Sequence, residues 1–428
     1  NPLLACNAVV LASFILGGWC TYFAVSRMTG SGWAGLIAGT VYAFQLERFA
    51  ALTHVQLLTT QWLPLVVYFA DRLLRDGRWR DWLGLAVFFS LQFLCGMNVG
   101  LFAALLLALL VAGYLVAGLA RLSPHLLLQG GAFLAVTLAV NLPLAAPYFT
   151  LARQMQMQRS VADLAPFSAA PLNYLTPDPA HWLYGSLGRT LAWGEMRGGE
   201  HFLFLGLLAW GLALLALPGR AEGCAQRRRV WVFAGVTAVL IVLSWGPKLG
   251  SVSLPYTLVF EYLPGFRSIR APARLIIMVS LLVAFLGGVG ARRLLHRVEP
   301  WRRYVAPALC LLVMVEAGFM NWPGVIVPPP NQGPAVYQWL GHQPDRPVVL
   351  ELPIPSHSAL QAFTQCARQY YSTGHWQRTV NGYSGFLTRA YGAIASTSQS
   401  FPDEATLRWL QGLRVDLVIL HRGDYEAG

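Results

Sequence analysis

The chain has 428 residues, of which 56% are hydrophobic and only 12% charged, and it carries a net charge of +12 at neutral pH. A soluble domain has about 25% charged residues, so half that share, with a mean hydropathy of +0.50, excludes an ordinary soluble enzyme and indicates a bilayer protein. The basic excess alone would suit nucleic acid, but no basic stripe with interleaved aromatics and no nucleic-acid motif accompanies it.

Apolar runs near the length that crosses a hydrocarbon core as helix recur through the first three quarters of the chain. They predict spans at about 3–26, 32–46, 57–74, 81–95, 99–119, 127–149, 201–217, 230–245, 273–290 and 304–320. The first pair turns at Thr29-Gly30-Ser31. Between the second and third lies a polar hinge with Gln45, Glu47, Arg48, Thr53, His54 and Gln56, and Gln61 falls inside the third. Pro143 and Pro147 near the end of the 127–149 run are tolerated where neighbours satisfy the freed carbonyls. Residues 150–200 form a polar insert with Pro166, Pro171, Pro177, Pro179, Trp182 and Trp193, and 246–272 ends in YLPGFRSIRAPAR.

Counting alternate connections as cytoplasmic collects 15 basic residues in five short loops, against nine in the longer opposite ones. By the positive-inside rule the basic loops face the cytoplasm. Residue 1, the loops 46–56, 150–200 and 246–272, and the C-terminal region then lie outside. The chain opens on Asn1-Pro2 without Met or signal peptide and reads as a fragment at its N-terminus, with an odd number of spans expected upstream.

From Asn321 the composition shifts to a Pro/Gly linker (Pro323, Val325 to Pro330, Gly333). VYQWLGHQ predicts a short helix and PVVLELPIP a buried strand. FPDEATLRWLQGLRVDLVILHR predicts a helix starting near Pro402-Asp403, then a strand. The expected fold is therefore a mainly α, polytopic transmembrane bundle over 1–320 with a small α/β extracytoplasmic domain over 321–428. The six cysteines (Cys6, Cys20, Cys95, Cys224, Cys310, Cys366) form no CxxC or zinc spacing.

Three groups of residues carry candidate chemistry. At the hinge, His54, with Gln56 and Gln61 within two turns, fits a substrate-binding group that acts as a general base, binds a phosphate oxygen or ligates a metal, or else a headgroup-level His satisfied by water or a carbonyl. Glu47 and Arg48 fit a substrate contact or a plain pair with each other or with lipid. Arg267, Arg270 and Arg274 stand on the side where arginines are disfavoured, which calls for an anionic partner: a lipid-linked phosphate or anionic headgroups. The run 373–386 gathers His375, Trp376, Arg378, Asn381, Tyr383 and Ser384, an aromatic and amide set that suits sugar recognition or an ordered packing loop. His375 has no second metal ligand at i+3 or i+4, so no metal site is read there.

With SFILGG, YAF, HVQLLTTQWLPL and DRLLR, then FRSIRAPARL, NGYSGF and LQGLRVDLVILHR, nearly the whole chain resembles bacterial multi-spanning proteins of the GT-C glycosyltransferase-like superfamily. The resemblance implies inverting sugar transfer from a polyprenyl-phosphate donor to a cell-envelope glycan or lipid acceptor on the outer face of the bacterial inner membrane. It also implies a catalytic carboxylate in the first external loop, which the topology puts upstream of this chain. Arg267, Arg270 and Arg274 take the phosphate-binding role by chemistry and position. No cofactor is marked, and the need for a divalent metal ion stays open. The partners implied are membrane lipid, donor and acceptor, without nucleic acid. Two alternatives stand beside this reading: a transporter or flippase of lipid-linked glycans, and a non-catalytic envelope-assembly protein.

Overall fold

The computed structural model describes residues 2–52, 54–155, 159–192, 198–217, 223–249, 252–318, 327–354, 359–383 and 388–426. Thr53, Trp193, Asn321, Pro323, Val325 and Ser384, singled out above, lie outside them, as do Arg197 and Arg220 of the charge count. The chain forms two compact units, Asn1–Trp322 and Pro323–Gly428.

The first unit is helical. Its helices are α1 (Pro2–Thr29), α2 (Gly32–Ala43), α3 (Leu46–Ala50), α4 (Val55–Leu58), α5 (Leu63–Asp76), α6 (Trp79–Cys95), α7 (Met97–Val116) and α8 (Pro124–Gln154). They continue as α9 (Val161–Leu164), α10 (Gly185–Leu191), α11 (Gly198–His201), α12 (Leu207–Leu215), α13 (Cys224–Ser244), α14 (Tyr256–Tyr262), α15 (Ile276–Arg297) and α16 (Arg302–Ala317). Each predicted apolar run falls on a helix. Four stretches among the described residues are long and apolar enough to cross a membrane: Leu3–Thr29, Met97–Val116, Pro124–Gln154 and Pro272–Arg297. α8 stays continuous through Pro143 and Pro147, starts on Ser123, whose hydroxyl accepts from the Leu126 amide, and exposes Leu127, Leu128, Leu134, Leu138 and Leu142. So much exposed leucine on one helix is a face made for lipid.

α15 is the axis of the unit. Every residue from Ile276 to Gly288 is buried, and α2, α12 and α13 pack around it. Small residues allow the close approach: a Cβ on Gly290 would collide with the Leu212 carbonyl.

Charges are buried at one end of this bundle. The Asp71 carboxylate receives Arg229 Nε at 2.8 Å and Nη2 at 2.9 Å, Arg75 at 3.1 Å and the Tyr114 hydroxyl, so α5, α7 and α13 share one anion. Arg72, the sequence neighbour of Asp71, pairs instead with Asp81 at 3.0 Å.

Three expectations change in detail. The run at 57–74 is broken, because α5 starts only at Leu63, with Pro64 in its first turn. The break is mended by the buried Gln92 side chain, which donates to the Thr59 carbonyl at 2.9 Å and accepts from the Trp62 amide at 3.3 Å. The run at 201–217 leaves α11 at His201 and is helical again only from Leu207, where the Glu316 carboxylate accepts the amides of Leu207 at 2.6 Å and Leu208 at 3.1 Å. The 246–272 loop is partly ordered: β1 (Lys248–Leu249) pairs antiparallel with β2 (Val252–Ser253), ahead of α14.

The second unit has α17 (Ala335–Gly341), β3 (Val348–Leu352), α18 (Ala359–His375), β4 (Arg378–Thr379), α19 (Arg389–Thr397), α20 (Glu404–Gly412), β5 (Leu417–Leu420) and α21 (Arg422–Glu426). Strands β3, β4 and β5 are parallel in the order β4-β3-β5. Leu350 and Leu352 pack with Leu410, Ile394 and Trp409 on one face. Val349 packs with Tyr337, Leu340 and Tyr371 on the other, as strand alternation requires. Asp403 caps α20, accepting the Thr406 amide at 2.6 Å.

Candidate functional site

The site is built by three segments far apart in sequence. The first is the hinge between α2 and α5, reduced to the short helices α3 and α4, with His54 just before α4. The second is the loop after α14. Gly265 has φ +87, and a Cβ there would meet Leu101 at 2.9 Å, so both conformation and space call for glycine. Phe266 and Ile269 turn inward and are buried, with Phe266 against Phe102 at 6.3 Å. Two short 3₁₀ turns, Phe266–Ser268 and Pro272–Leu275, then set Arg267 exposed and Arg270 and Arg274 half-buried. The third segment is the 150–200 insert. It ties itself to the loop through the Arg159 amide, which donates to the Arg267 carbonyl at 3.2 Å, and to α13 through the Tyr174 and Ser244 hydroxyls at 2.8 Å.

Where these segments meet, cations and, among the described residues, the carboxylate of Glu200 converge. α11 packs against α3 and against the Pro272–Leu275 turn, which carries Glu200 to Arg274. Glu200 Oε1 accepts from Arg274 Nη2 at 2.7 Å and from Nε at 3.1 Å. Arg270 lies over the Phe167 ring of the insert, 4.1 Å from its centroid. Burial holds the His54 imidazole below its ordinary pKa. The Arg274 and Arg270 guanidiniums push it further down, and Glu200 pulls it up. His54 therefore shares one electrostatic environment with all three groups and is neutral at pH 7. Burial also lowers the Arg159 pKa, against the pull of Asp163.

The other expected residues go elsewhere. Arg48 is 3% exposed, and its guanidinium donates to Thr60 Oγ1 at 2.8 Å and the Leu58 carbonyl at 3.2 Å, between the rings of Phe14 and Tyr42. Glu47 is buried against Ser280 of α15. Gln61 points to Cys95, 3.6 Å from its sulfur, and Gln56 is exposed. In the second unit, Asn381 is taken up by the strand beside it: Oδ1 accepts the Glu351 amide at 2.6 Å and Nδ2 donates to the Glu351 carbonyl at 2.8 Å. His375 is buried, stacks on Tyr337 and accepts the Gln377 amide, while Trp376 and Tyr383 are exposed.

Glu200 is the site residue that sequence reading missed. Its one signal was an acid in a Gly-rich run, GGEH, beside a cationic loop. Glu316 was missed too, although a lone acid in the apolar run LLVMVEA is costly enough to flag a role. Among the described residues, no group of three or more His, Cys, Asp or Glu stands ready for a metal ion. In comparisons with known proteins, no family model, curated protein or solved structure matches the chain.

Proposed function

We propose that the chain is a membrane glycosyltransferase of the GT-C kind, with about ten spans. It transfers a sugar from a polyprenyl-phosphate donor to a cell-envelope glycan or lipid on the outer face of the bacterial inner membrane, with the C-terminal unit on that face. The observation that carries this reading is the convergence of Arg270, Arg274, His54 and Glu200 at the mouth of an apolar helix bundle. A phosphate attached to a membrane lipid is the anion such a position meets, and forked guanidinium donors suit its oxygens.

The geometry supports a definite division of labour. In an inverting transfer, an acceptor hydroxyl oxygen attacks the anomeric carbon. The bond from that carbon to the phosphate oxygen breaks, and its electron pair leaves with the polyprenyl phosphate. Arg270 and Arg274 stabilise the charge that grows on the leaving phosphate. Phosphate competes with Glu200 for Arg274, and the released Glu200 carboxylate takes the acceptor proton. That gives the reaction a base within this chain, where sequence reading expected one upstream. Neutral His54, with Gln56, orients the sugar hydroxyls, and Arg267 widens the positive rim.

Donor binding tests this directly. The purified protein in nanodiscs should retain polyprenyl phosphate, and Arg270→Ala and Arg274→Ala should each weaken retention about tenfold or more. Equal retention by wild type and both variants removes the phosphate site and the proposal with it.

A further inference from the structure

The C-terminal unit holds a polar cluster that the transferase reading does not use. Glu351 lies on the middle strand β3 between the core residues Leu350 and Leu352 and is 2% exposed. A carboxylate persists there only when paired and hydrogen-bonded. Its Oε2 accepts from the Tyr337 hydroxyl at 2.7 Å and stands 2.7 Å from His421 Nε2. Arg368 approaches the same oxygen at 3.9 Å. It donates to the carbonyls of Glu351 and Pro353 at 3.3 and 2.9 Å, and to the Asp424 carboxylate at 2.8 Å.

A carboxylate oxygen accepts, so Nε2 is the nitrogen that donates to Glu351, and in the neutral imidazole Nδ1 keeps the lone pair. Nδ1 has no partner among the described residues, and the side chain is 24% exposed. His421 directly follows β5, and Asp424 comes one turn later. The cluster thus sits at the carboxyl ends of parallel strands, where sheets of this build bind ligands.

A second observation points the same way. The buried face of α18 carries Gln365 one turn before Arg368, and both Gln365 amide atoms are buried with no partner among the described residues. A buried amide left unpaired is unfavourable, and a ligand able both to accept and to donate would relieve it.

The ligand class follows from what remains to bind. Arg368 is already committed to two carbonyls and Asp424, and two carboxylates flank it, so an anion is disfavoured. A lone pair on Nδ1, the partly exposed Asp424 carboxylate and an unpaired amide suit adjacent hydroxyl groups. We infer that the carboxyl end of this sheet binds a neutral polyhydroxyl ligand, a saccharide, through His421, Asp424 and Gln365. Glu351 and Tyr337 act as positioning residues for His421. The inference does not depend on the phosphate site of the first unit. A free saccharide and a glycolipid headgroup offer the same chemistry.

The test uses the full chain in nanodiscs with two probes. Methyl glycosides of glucose, galactose and mannose are followed by saturation-transfer NMR. Glucosyl, galactosyl and mannosyl glycolipids built into the disc are followed by native mass spectrometry. Binding of a glycoside supports a soluble ligand, and retention of a glycolipid alone supports a membrane source. Gln365→Leu should weaken whichever probe binds about tenfold while keeping or raising the melting temperature. Glu351→Gln should weaken binding and shift the His421 ring ¹⁵N signals away from the Nε2-protonated pattern. Binding of neither probe overturns the inference, as does Gln365→Leu binding as tightly as wild type.

Discussion

Glu200→Gln removes the charge from the pair with Arg274 and leaves the volume in place. Both bonds from Arg274 land on one oxygen, and the two side chains are 15% and 10% exposed. An exposed pair is worth ~0.2–1 kcal/mol, and removing one partner of a buried pair costs about 3–5 kcal/mol. These exposures set the loss between the two, at about 2 kcal/mol, or roughly thirtyfold in the folding equilibrium. Anion affinity should move the other way, because Arg274 loses the carboxylate that neutralises it. Pyrophosphate should bind about fivefold tighter, a gain of about 1 kcal/mol, the Coulomb energy of unit charges about 4 Å apart at the dielectric of water. The His54 pKa should fall further, since the group that raises it is gone. Unfolding in mixed micelles through a double-mutant cycle with Arg274→Met reads the first quantity, and calorimetric titration reads the second. A coupling below about 0.5 kcal/mol with unchanged pyrophosphate affinity would refute the competition between Glu200 and phosphate.

Other outcomes follow from the same contacts. Asp71→Ala strands Arg229 in the bundle and should cost about 3–5 kcal/mol, read as a lower unfolding midpoint; a loss within about 0.5 kcal/mol contradicts the shared-anion account. Burial holds His54, His181 and His375 below the ordinary value of 6.5, so at acid pH the unfolded chain binds more protons than the folded one. Stability should therefore be fully present above 6.5 and fall as pH drops below it. His181→Gln should flatten that fall, because in His181 the Leu183 and Tyr184 amides already occupy Nδ1 and Nε2 donates to the Glu316 carbonyl. Orientation is open to the native thiols Cys224 and Cys366, both exposed. With the other cysteines replaced, an impermeant maleimide should label Cys366 on intact cells and Cys224 only after permeabilisation, and the reverse pattern inverts the topology.

The helices were legible because long runs of apolar residues have few other ways to satisfy their backbone in a membrane. The interruption before α5 was not, since it depends on Gln92, 30 residues on from the Trp62 amide that it accepts. The cationic loop was legible because Arg267, Arg270 and Arg274 crowd into the short run FRSIRAPAR. Polarity misled at Arg48: a polar residue in a hinge looks exposed, whereas carbonyls and two aromatic faces hold this one inside. Glu200 stayed hidden because its partner is 74 residues away. Glu351 carried a fair signal, an acid within the apolar strand VVLEL, but its partners His421 and Arg368 emerge only once the parallel strands are aligned.

Transfer itself is the most direct measurement of the central claim. The protein reconstituted in vesicles with radiolabelled polyprenyl-phosphate sugars should move label to a glycan or lipid acceptor, and Arg270→Ala, His54→Ala and Glu200→Gln should each lose most of that turnover. Full turnover in Arg270→Ala and His54→Ala, or no transfer by wild type from any donor offered, would contradict the account.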